Sequence, residues 1–267
     1  MMKLKGIDVS YHNGTIDWNE VTKEVDFAII RAGFGKGNID EKFYDNSIGC
    51  EKANIPYGYY WFSYAYTPDM ARAEADYMCE LIRPFSPTYP ICFDFEYGSL
   101  TYAKNHGYNL SNKDIQDICR AFLDRVEENG YYAMIYCNPD FLENYGLKEL
   151  TSRYALWLAK WTNTPPMEYN YGIWQYGTTV VPGIVSEVDA NYSAKDYDKI
   201  ISALYRFKKE HKIKVALTLP DAWWNKYVLL AKRYLVGIYD DFELERYCRK
   251  NGMDVSIVKE IMAILYE

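Results

Sequence analysis

The sequence predicts an α/β protein: an irregular TIM-like β/α barrel over residues 1–198, a basic connector over 199–219 and a small C-terminal all-α module over 220–267. Three observations carry that expectation. Eight short apolar runs rich in β-branched and aromatic residues recur up to residue 190, and many of them precede helical periodicity. Several of these runs end on a polar or charged residue, namely Asp8, Arg31, Asp94 with Glu96, Gln175 and Asp189. Beyond Asp196-Tyr197 the pattern changes to basic, helix-spaced segments.

Taken in order, residues 5–10 form the first strand, and Asn13-Gly14 marks a turn. Asp17 caps a helix over 17–21. Residues 26–31 are apolar on both faces, as a parallel strand requires. The glycine-rich run Gly33-Phe34-Gly35-Lys36-Gly37 lacks the closing Lys-Ser/Thr of a phosphate cradle, so no nucleotide role is expected. A helix over 40–54, a strand over 56–62, a helix over 68–81 and a strand over 89–94 follow. Ser111 or Asn112 opens a long amphipathic helix that Asn129-Gly130 stops near Glu128. The remaining strands are expected at 131–136, 155–159, 171–175 and 187–190. In the tail, residues 199–214 read as a helical connector and 220–267 as two or three short helices broken at Gly237 and Asn251-Gly252.

Composition narrows the function. At 267 residues, 49% hydrophobic and 25% charged, the chain suits a soluble globular protein with a full core. Residues 204–267 carry a net charge of +3 against −10 for the remainder, and an acidic body argues against nucleic acid as a partner. The 28 tyrosines and 7 tryptophans suit either strand packing or sugar platforms, which composition alone does not separate. Six scattered cysteines (Cys50, Cys79, Cys92, Cys119, Cys137 and Cys248) form no C-x-x-C pair and read as buried hydrophobes, not as a disulfide framework or a zinc site. The N-terminus has no apolar signal core and no run is long enough to span a bilayer. The expectation is therefore synthesis in the cytoplasm and no membrane insertion; if the protein acts outside, something else releases it or a signal has been trimmed away.

The central stretch is Tyr89-Pro90-Ile91-Cys92-Phe93-Asp94-Phe95-Glu96-Tyr97. On a strand, positions i and i+2 face the same way, so Asp94 and Glu96 would share one cavity and drive one proton affinity upward. Acid/base chemistry needs that pairing, with one carboxyl donating a proton beside one that stays ionised. The alternative is two strand-end acids in water or in ion pairs.

A series of ordered motifs over residues 5–196 resembles the glycoside hydrolase family 25 muramidases, the Chalaropsis-type lysozymes. They include Gly6-Ile7-Asp8-Val9-Ser10, Gly14-Thr15-Ile16-Asp17-Trp18, Phe27-Ala28-Ile29-Ile30-Arg31-Ala32-Gly33 and Gly58-Tyr59-Tyr60-Trp61-Phe62. Phe93-Asp94-Phe95-Glu96, Leu156-Trp157-Leu158-Ala159, Trp174-Gln175-Tyr176 and Val188-Asp189-Ala190-Asn191 continue the series. Trp61 departs from the pattern, since family members often carry His there.

The resemblance implies hydrolysis of the β-1,4 bond between N-acetylmuramic acid and N-acetylglucosamine in bacterial peptidoglycan, without a metal or other cofactor. It makes Glu96 the general acid and then base, and Asp94 the ionised partner that stabilises positive charge or orients the 2-acetamido group. Asp8 and Asp189 line the same cleft as further catalytic residues. Ordinary retaining enzymes hold their two carboxyls roughly 5–5.5 Å apart across the sugar. Two acids on one strand end do not straddle a ring easily, which favours acetamido participation with retention over attack by Asp94. Substrate contacts are expected from Arg31, Tyr60, Trp61, Tyr136, Trp157 and Gln175; Arg31 is equally well read as a barrel-interior ion-pair partner, and Trp157 as core. His12 has no second histidine at ligand spacing. The tail, around Ala231-Lys232-Arg233-Tyr234-Leu235-Val236-Gly237 and Asn251-Gly252-Met253-Asp254, faintly resembles a wall-binding repeat of phage lysins, with Ile238-Tyr239-Asp240-Asp241-Phe242 in place of the expected glycine-rich turn. Wall tethering by 220–267 is set against a packing appendage or dimer contact. Two other functions remain open: a metal-dependent hydrolase using Asp8, Asp94, Glu96 and Asp189 as ligands, and a glycan-binding protein without turnover.

Overall fold

The computed structural model describes residues 4–202 and 241–250, together with residues 255, 258 and 259. Nine strands form one sheet: β1 (Leu4–Val9), β2 (Phe27–Phe34), β3 (Asn38–Ile39), β4 (Tyr57–Phe62), β5 (Ile91–Asp94), β6 (Ala133–Cys137), β7 (Ala155–Ala159), β8 (Ile173–Thr179) and β9 (Val188–Ser193). The order β1-β2-β4-β5-β6-β7-β8-β9 closes on itself through pairing of β9 with β1, giving an eight-stranded barrel, with β3 a short hairpin arm on β2. All neighbours from β1 to β8 pair in parallel. The last strand departs from a uniform barrel, because β9 runs antiparallel to both β8 and β1.

Side-chain alternation divides each strand between two cores. Inward positions bury Phe27, Ile29, Cys92, Met134, Ala155, Trp157 and Ile173. Outward positions such as Ile30, Tyr59, Phe93, Ile135 and Leu156 pack under the helices. At the end where the parallel strands begin, Phe27 stacks on Tyr89 with centroids 4.4 Å apart, and Tyr197 meets Tyr89 and Tyr132 edge-on. Gly6 admits this plug, since a Cβ there would sit 2.3 Å from the Phe27 ring. The floor is therefore sealed, and the opposite end is the open one.

The α-helices include α1 (Trp18–Val21), α2 (Phe43–Ala53), α3 (Pro68–Ile82), α4 (Tyr97–Asn105), α5 (Asn112–Glu128), α6 (Pro139–Asn144) and α7 (Asp241–Lys250). Their ends follow the sequence closely. Asp17 accepts from Asn19 N–H, Thr67 accepts from Met70 N–H ahead of a first-turn proline, and Ser111 makes a reciprocal cap with Asp114. The buried stripe Ile115, Ile118, Cys119, Phe122 and Val126 lays α5 against the barrel, where Phe122 meets Phe93 at 4.3 Å. Truncating such a phenylalanine to alanine costs about 3–5 kcal/mol.

The structure differs from the sequence reading in several places. Strand β2 runs into the glycine-rich segment as far as Phe34, and Gly35-Lys36-Gly37 turn the chain into the β3 hairpin, which places Gly33 against the Asn38 carbonyl and the Trp61 ring. Helix α4 is unanticipated: only Ser99 and Ala103 are buried on it, so no apolar period announces it. Strand β5 stops at Asp94, and Glu96 is the N-cap of α4, still in extended backbone. Residues 197–202 are helical, and Tyr197 and Ile201 pack into the barrel-floor cluster. Most of the connector and module expected over 199–267 lies outside the described residues. All six cysteines are buried. Among the described residues no helix is long and apolar enough to cross a membrane.

Candidate active site

The open end of the barrel collects inward-facing residues of the parallel strands. Asp8 from β1, Arg31 from β2, Tyr60 from β4, Asp94 from β5, Tyr136 from β6, Trp157 from β7 and Gln175 from β8 reach one mouth. Because β9 is reversed, its first residues supply the rim, and Asp189 lies in register with Asp8.

Asp8 is the hub. Its Oδ2 accepts from Asn191 Nδ2 at 2.7 Å and from Gln175 Nε2 at 3.0 Å. Asn191 Oδ1 in turn accepts from Trp157 Nε1 at 2.8 Å, which fixes both the amide orientation and the indole. Burial and the neighbouring Asp189 lift Asp8 to about 7, against the pull of the two amides. Asp189 is also raised, chiefly by burial, while its hydrogen bond with Asp8 acts the other way. The two carboxyls behave as a pair that holds a proton between them.

Asp94 is only 6% exposed, and its Oδ1 has no hydrogen-bond partner. Burial, then the Glu96 and Asp8 charges, push it well above the usual carboxylate range, and Arg31 offsets only part of this. Glu96 is raised as well, by burial first and by Asp189, with Tyr136 holding it down. The Tyr136 hydroxyl lies 3.2 Å from Gln175 Oε1 and also serves Glu96, and its single proton can satisfy one of them at a time. Four carboxyls thus face a mouth too dry to keep all four ionised at neutral pH.

The remaining expected residues divide. Tyr60 and Trp157 meet edge-on at 6.0 Å beneath the carboxyls. Arg31 donates from Nε to Asp40 Oδ2 at 2.7 Å and lies 4.9 Å from the Tyr11 ring centroid, so the ion-pair reading describes its state in this structure. Trp61 does not reach the mouth. It is 0% exposed and packs outward against Tyr77 of α3 and against Gly33. A strand cannot send both Tyr60 and Trp61 inward, which corrects the expectation of a sugar contact at Trp61.

Three residues of the site escaped the sequence reading. Asn191 carried a signal, standing two positions from Asp189 on the same strand face. Asp40 carried none, because the β2–β3 hairpin alone brings it to Arg31. Trp161 lies just past β7, is 61% exposed, and donates to Gln175 Oε1 at 3.2 Å. Among the described residues no three His, Cys, Asp or Glu side chains converge closely enough to share a metal ion.

Residues 7–184 match the sequence model for glycosyl hydrolases family 25. The fold is similar to that of the modular autolysin LytC from Streptococcus pneumoniae, solved in complex with a synthetic peptidoglycan ligand, at 28% identity and a TM-score of 0.62 over 71% of this chain and 46% of that one. The chain thus spans under half the length of LytC. The bacterial lysozyme from Streptomyces coelicolor matches at 22% identity and TM-score 0.60, over 76% of this chain and 97% of its own. The catalytic domain of endolysin ply40 from bacteriophage P40 of Listeria monocytogenes matches at 21% identity and TM-score 0.64, over 75% and 97%. At such identities the last two speak for the fold alone. No curated protein matches the chain.

Proposed function

The chain belongs to glycosyl hydrolases family 25, and from that premise and the carboxyl cluster we propose that it is an N-acetylmuramidase. Its substrate is the bacterial peptidoglycan strand, cut at the β-1,4 bond from N-acetylmuramic acid to N-acetylglucosamine. The observation that carries this reading is the pair Asp94 and Glu96 at the end of β5, both with raised proton affinity in a partly dry mouth.

Glu96 is the general acid. It is the less buried of the two, and burial raises its proton affinity, which favours the protonated form that the leaving oxygen needs. Asp94 competes for that proton and is pushed up the more strongly. Positive charge developing at the anomeric carbon favours the Asp94 carboxylate and leaves the shared proton on Glu96. As the C1–O bond breaks, Glu96 protonates the departing oxygen. The substrate's acetamido oxygen closes on C1 from the opposite face, giving a cyclic oxazolinium whose charge Asp94 steadies; water, losing a proton to Glu96, then attacks C1 and breaks the C1–acetamido oxygen bond, which restores the acetamide. Both displacements invert at C1, so the net outcome is retention. Asp8 and Asp189 set the local charge; Tyr60, Tyr136, Trp157 and Gln175 shape the floor against which the sugar sits. Residues 220–267 tether the enzyme to the wall and raise its local concentration. Truncation after Ser202 should therefore weaken wall retention while sparing turnover of soluble fragments.

The test is release of reducing ends from purified peptidoglycan by wild type, Glu96→Gln and Asp94→Asn, each with and without EDTA. Muramic-acid ends that vanish in Glu96→Gln and ignore EDTA support the proposal. Full activity in Glu96→Gln overturns the assignment of the acid, and wall binding without released ends in wild type makes the protein a glycan binder.

A further inference from the structure

Helix α3 buries a carboxylate that the chemistry above does not use. Glu74 is 4% exposed, on a face whose other buried residues are Ala71, Ala75, Met78, Cys79 and Ile82. An apolar residue would fill that position at less cost than a carboxyl withdrawn from water. What Glu74 touches explains its presence. Its Oε2 accepts from Ser63 Oγ at 2.6 Å, and its Oε1 accepts from Tyr64 N–H at 3.2 Å. Ser63 Oγ also accepts from Ala65 N–H at 3.0 Å, so the turn leaving β4 is gathered around one acid.

That turn grips the segment bearing the two site carboxyls. Ser63 N–H donates to the Asp94 carbonyl at 2.8 Å. The Ser63 carbonyl accepts from Ser99 Oγ at 2.7 Å, and Ser99 Oγ accepts from Glu96 N–H at 3.1 Å. Ser63 and Ser99 are both fully buried. A continuous chain of hydrogen bonds thus runs from Glu74 through Ser63 to the backbone of Asp94, and through Ser99 to the backbone of Glu96. Strand β5 ends at Asp94, so sheet pairing no longer holds Phe95 and Glu96, and these bonds join the burial of Phe95 and the Leu100 N–H bond to the Glu96 carbonyl in setting the direction in which the Glu96 carboxyl leaves the chain.

We propose that Glu74 is a positioning residue for the Asp94–Glu96 pair, acting through Ser63 and Ser99. The proposal rests on the reading of that pair as the acid and its partner. Its consequence is geometric: a displacement near 1 Å at a proton donor lowers turnover by about 10²-fold without weakening substrate binding.

The experiment compares Glu74→Leu, Glu74→Gln, Ser99→Ala and the Glu74→Leu/Ser99→Ala double variant with wild type. Readouts are kcat, KM and the pH profile of kcat on soluble peptidoglycan fragments, with melting temperature and circular dichroism as checks on folding. Glu74→Leu should lower kcat by about 10- to 100-fold with KM within about twofold, and should shift the limb of the profile set by the pair. Asp8, Asp189, Arg31 and Tyr136, the other groups facing the pair, are untouched by these changes. Glu74→Gln, which keeps an acceptor for Tyr64 N–H, should recover most of the loss. The double variant should fall no further than the worse single one, within about twofold, because both act through one chain. A lower melting temperature with an unmoved profile and kcat would make Glu74 a purely structural residue and overturn the proposal. If Glu74→Leu does not fold, Glu74→Gln and Ser99→Ala carry the same criterion. Glu96→Gln is the control: activity there removes the reading of the pair, whereas a dead Glu96→Gln beside wild-type behaviour in the other variants removes the positioning role alone.

Discussion

Replacing Asn191 by leucine tests whether the Asp8 hub is held together as described. Asn191 is 1% exposed and makes two bonds at once, giving one to Asp8 at 2.7 Å and taking one from Trp157 at 2.8 Å. Leucine keeps the approximate volume but can do neither. The stranded indole N–H costs about 1–3 kcal/mol, and the lost donor to an ionised carboxylate about 1.5–3 kcal/mol. Burying the leucine side chain returns about 1.5–3 kcal/mol, leaving a net loss near 2 kcal/mol. For a chain of this size that is a fall in melting temperature of about 4–8 °C. The loss should also depend on pH. Asp8 ionises in the folded protein near 7, above its ordinary value, so its stabilising protonated form is fully present at acid pH and is lost as pH rises through 7. At pH 5 the missing amide faces a neutral acid; at pH 8 it leaves a buried carboxylate with Gln175 as its remaining amide donor. Urea unfolding at the two pH values reads this directly. An equal loss at both, or a loss confined to pH 5, would refute the proton-holding role of the hub.

Three further outcomes follow from particular contacts. Asp94→Asn should lower kcat by about 10²–10³-fold yet hold or raise the melting temperature at pH 7, because it replaces a buried, unsatisfied acid with a neutral amide; a clear fall in melting temperature would show that the carboxylate stabilises the fold. Glu74 is lifted from 4.5 to about 7 by burial, so its contribution to stability is complete below 4.5 and is lost as pH rises through 7. Glu74→Gln should therefore flatten the stability profile between those values by up to about 3 kcal/mol, read as urea midpoints, and an unchanged slope would contradict the burial argument. Trp161→Ala should raise KM on glycan fragments by about fivefold with no change in melting temperature, since the ring is mostly in solvent and its stacking is worth about 1 kcal/mol; an unmoved KM would leave Trp161 outside the binding surface.

Much of the site was legible because two local rules, strand alternation and polar strand ends, operate over short distances. Asp8, Asp94 and Gln175 fall on inward positions that can be counted along a single strand. The same rule, applied strictly, excludes Trp61 once Tyr60 is placed inward. Helix caps at Asp17 and Ser111 were equally local. What resisted reading depends on contacts between distant segments. The Arg31–Asp40 pair exists because a hairpin folds back, and Asn191 is a hub residue because β9 reverses and delivers it to Asp8. Helix α4 has a polar cap and small buried residues in place of an apolar stripe, so periodicity passes over it. Glu74 sat in a helix recognised from its alanines, and nothing in that pattern marked a carboxyl aimed at another turn.

The antiparallel closure by β9 bears on when the enzyme becomes active. Asp8 belongs to the first strand of the barrel to be synthesised, yet the amides that hold it come 167 and 183 residues later. Until those residues have emerged, β1 has one unpaired edge and Asp8 has neither amide, whatever helices have already formed. Contacts of such long sequence separation are slow to form and complete the barrel late. A growing chain can therefore carry Asp94 and Glu96 on an ordered β5 without the surroundings that tune their protons. Ring closure and the onset of hydrolytic competence become a single event, and a chain interrupted before β9 is catalytically silent although it contains both carboxyls of the proposed chemistry.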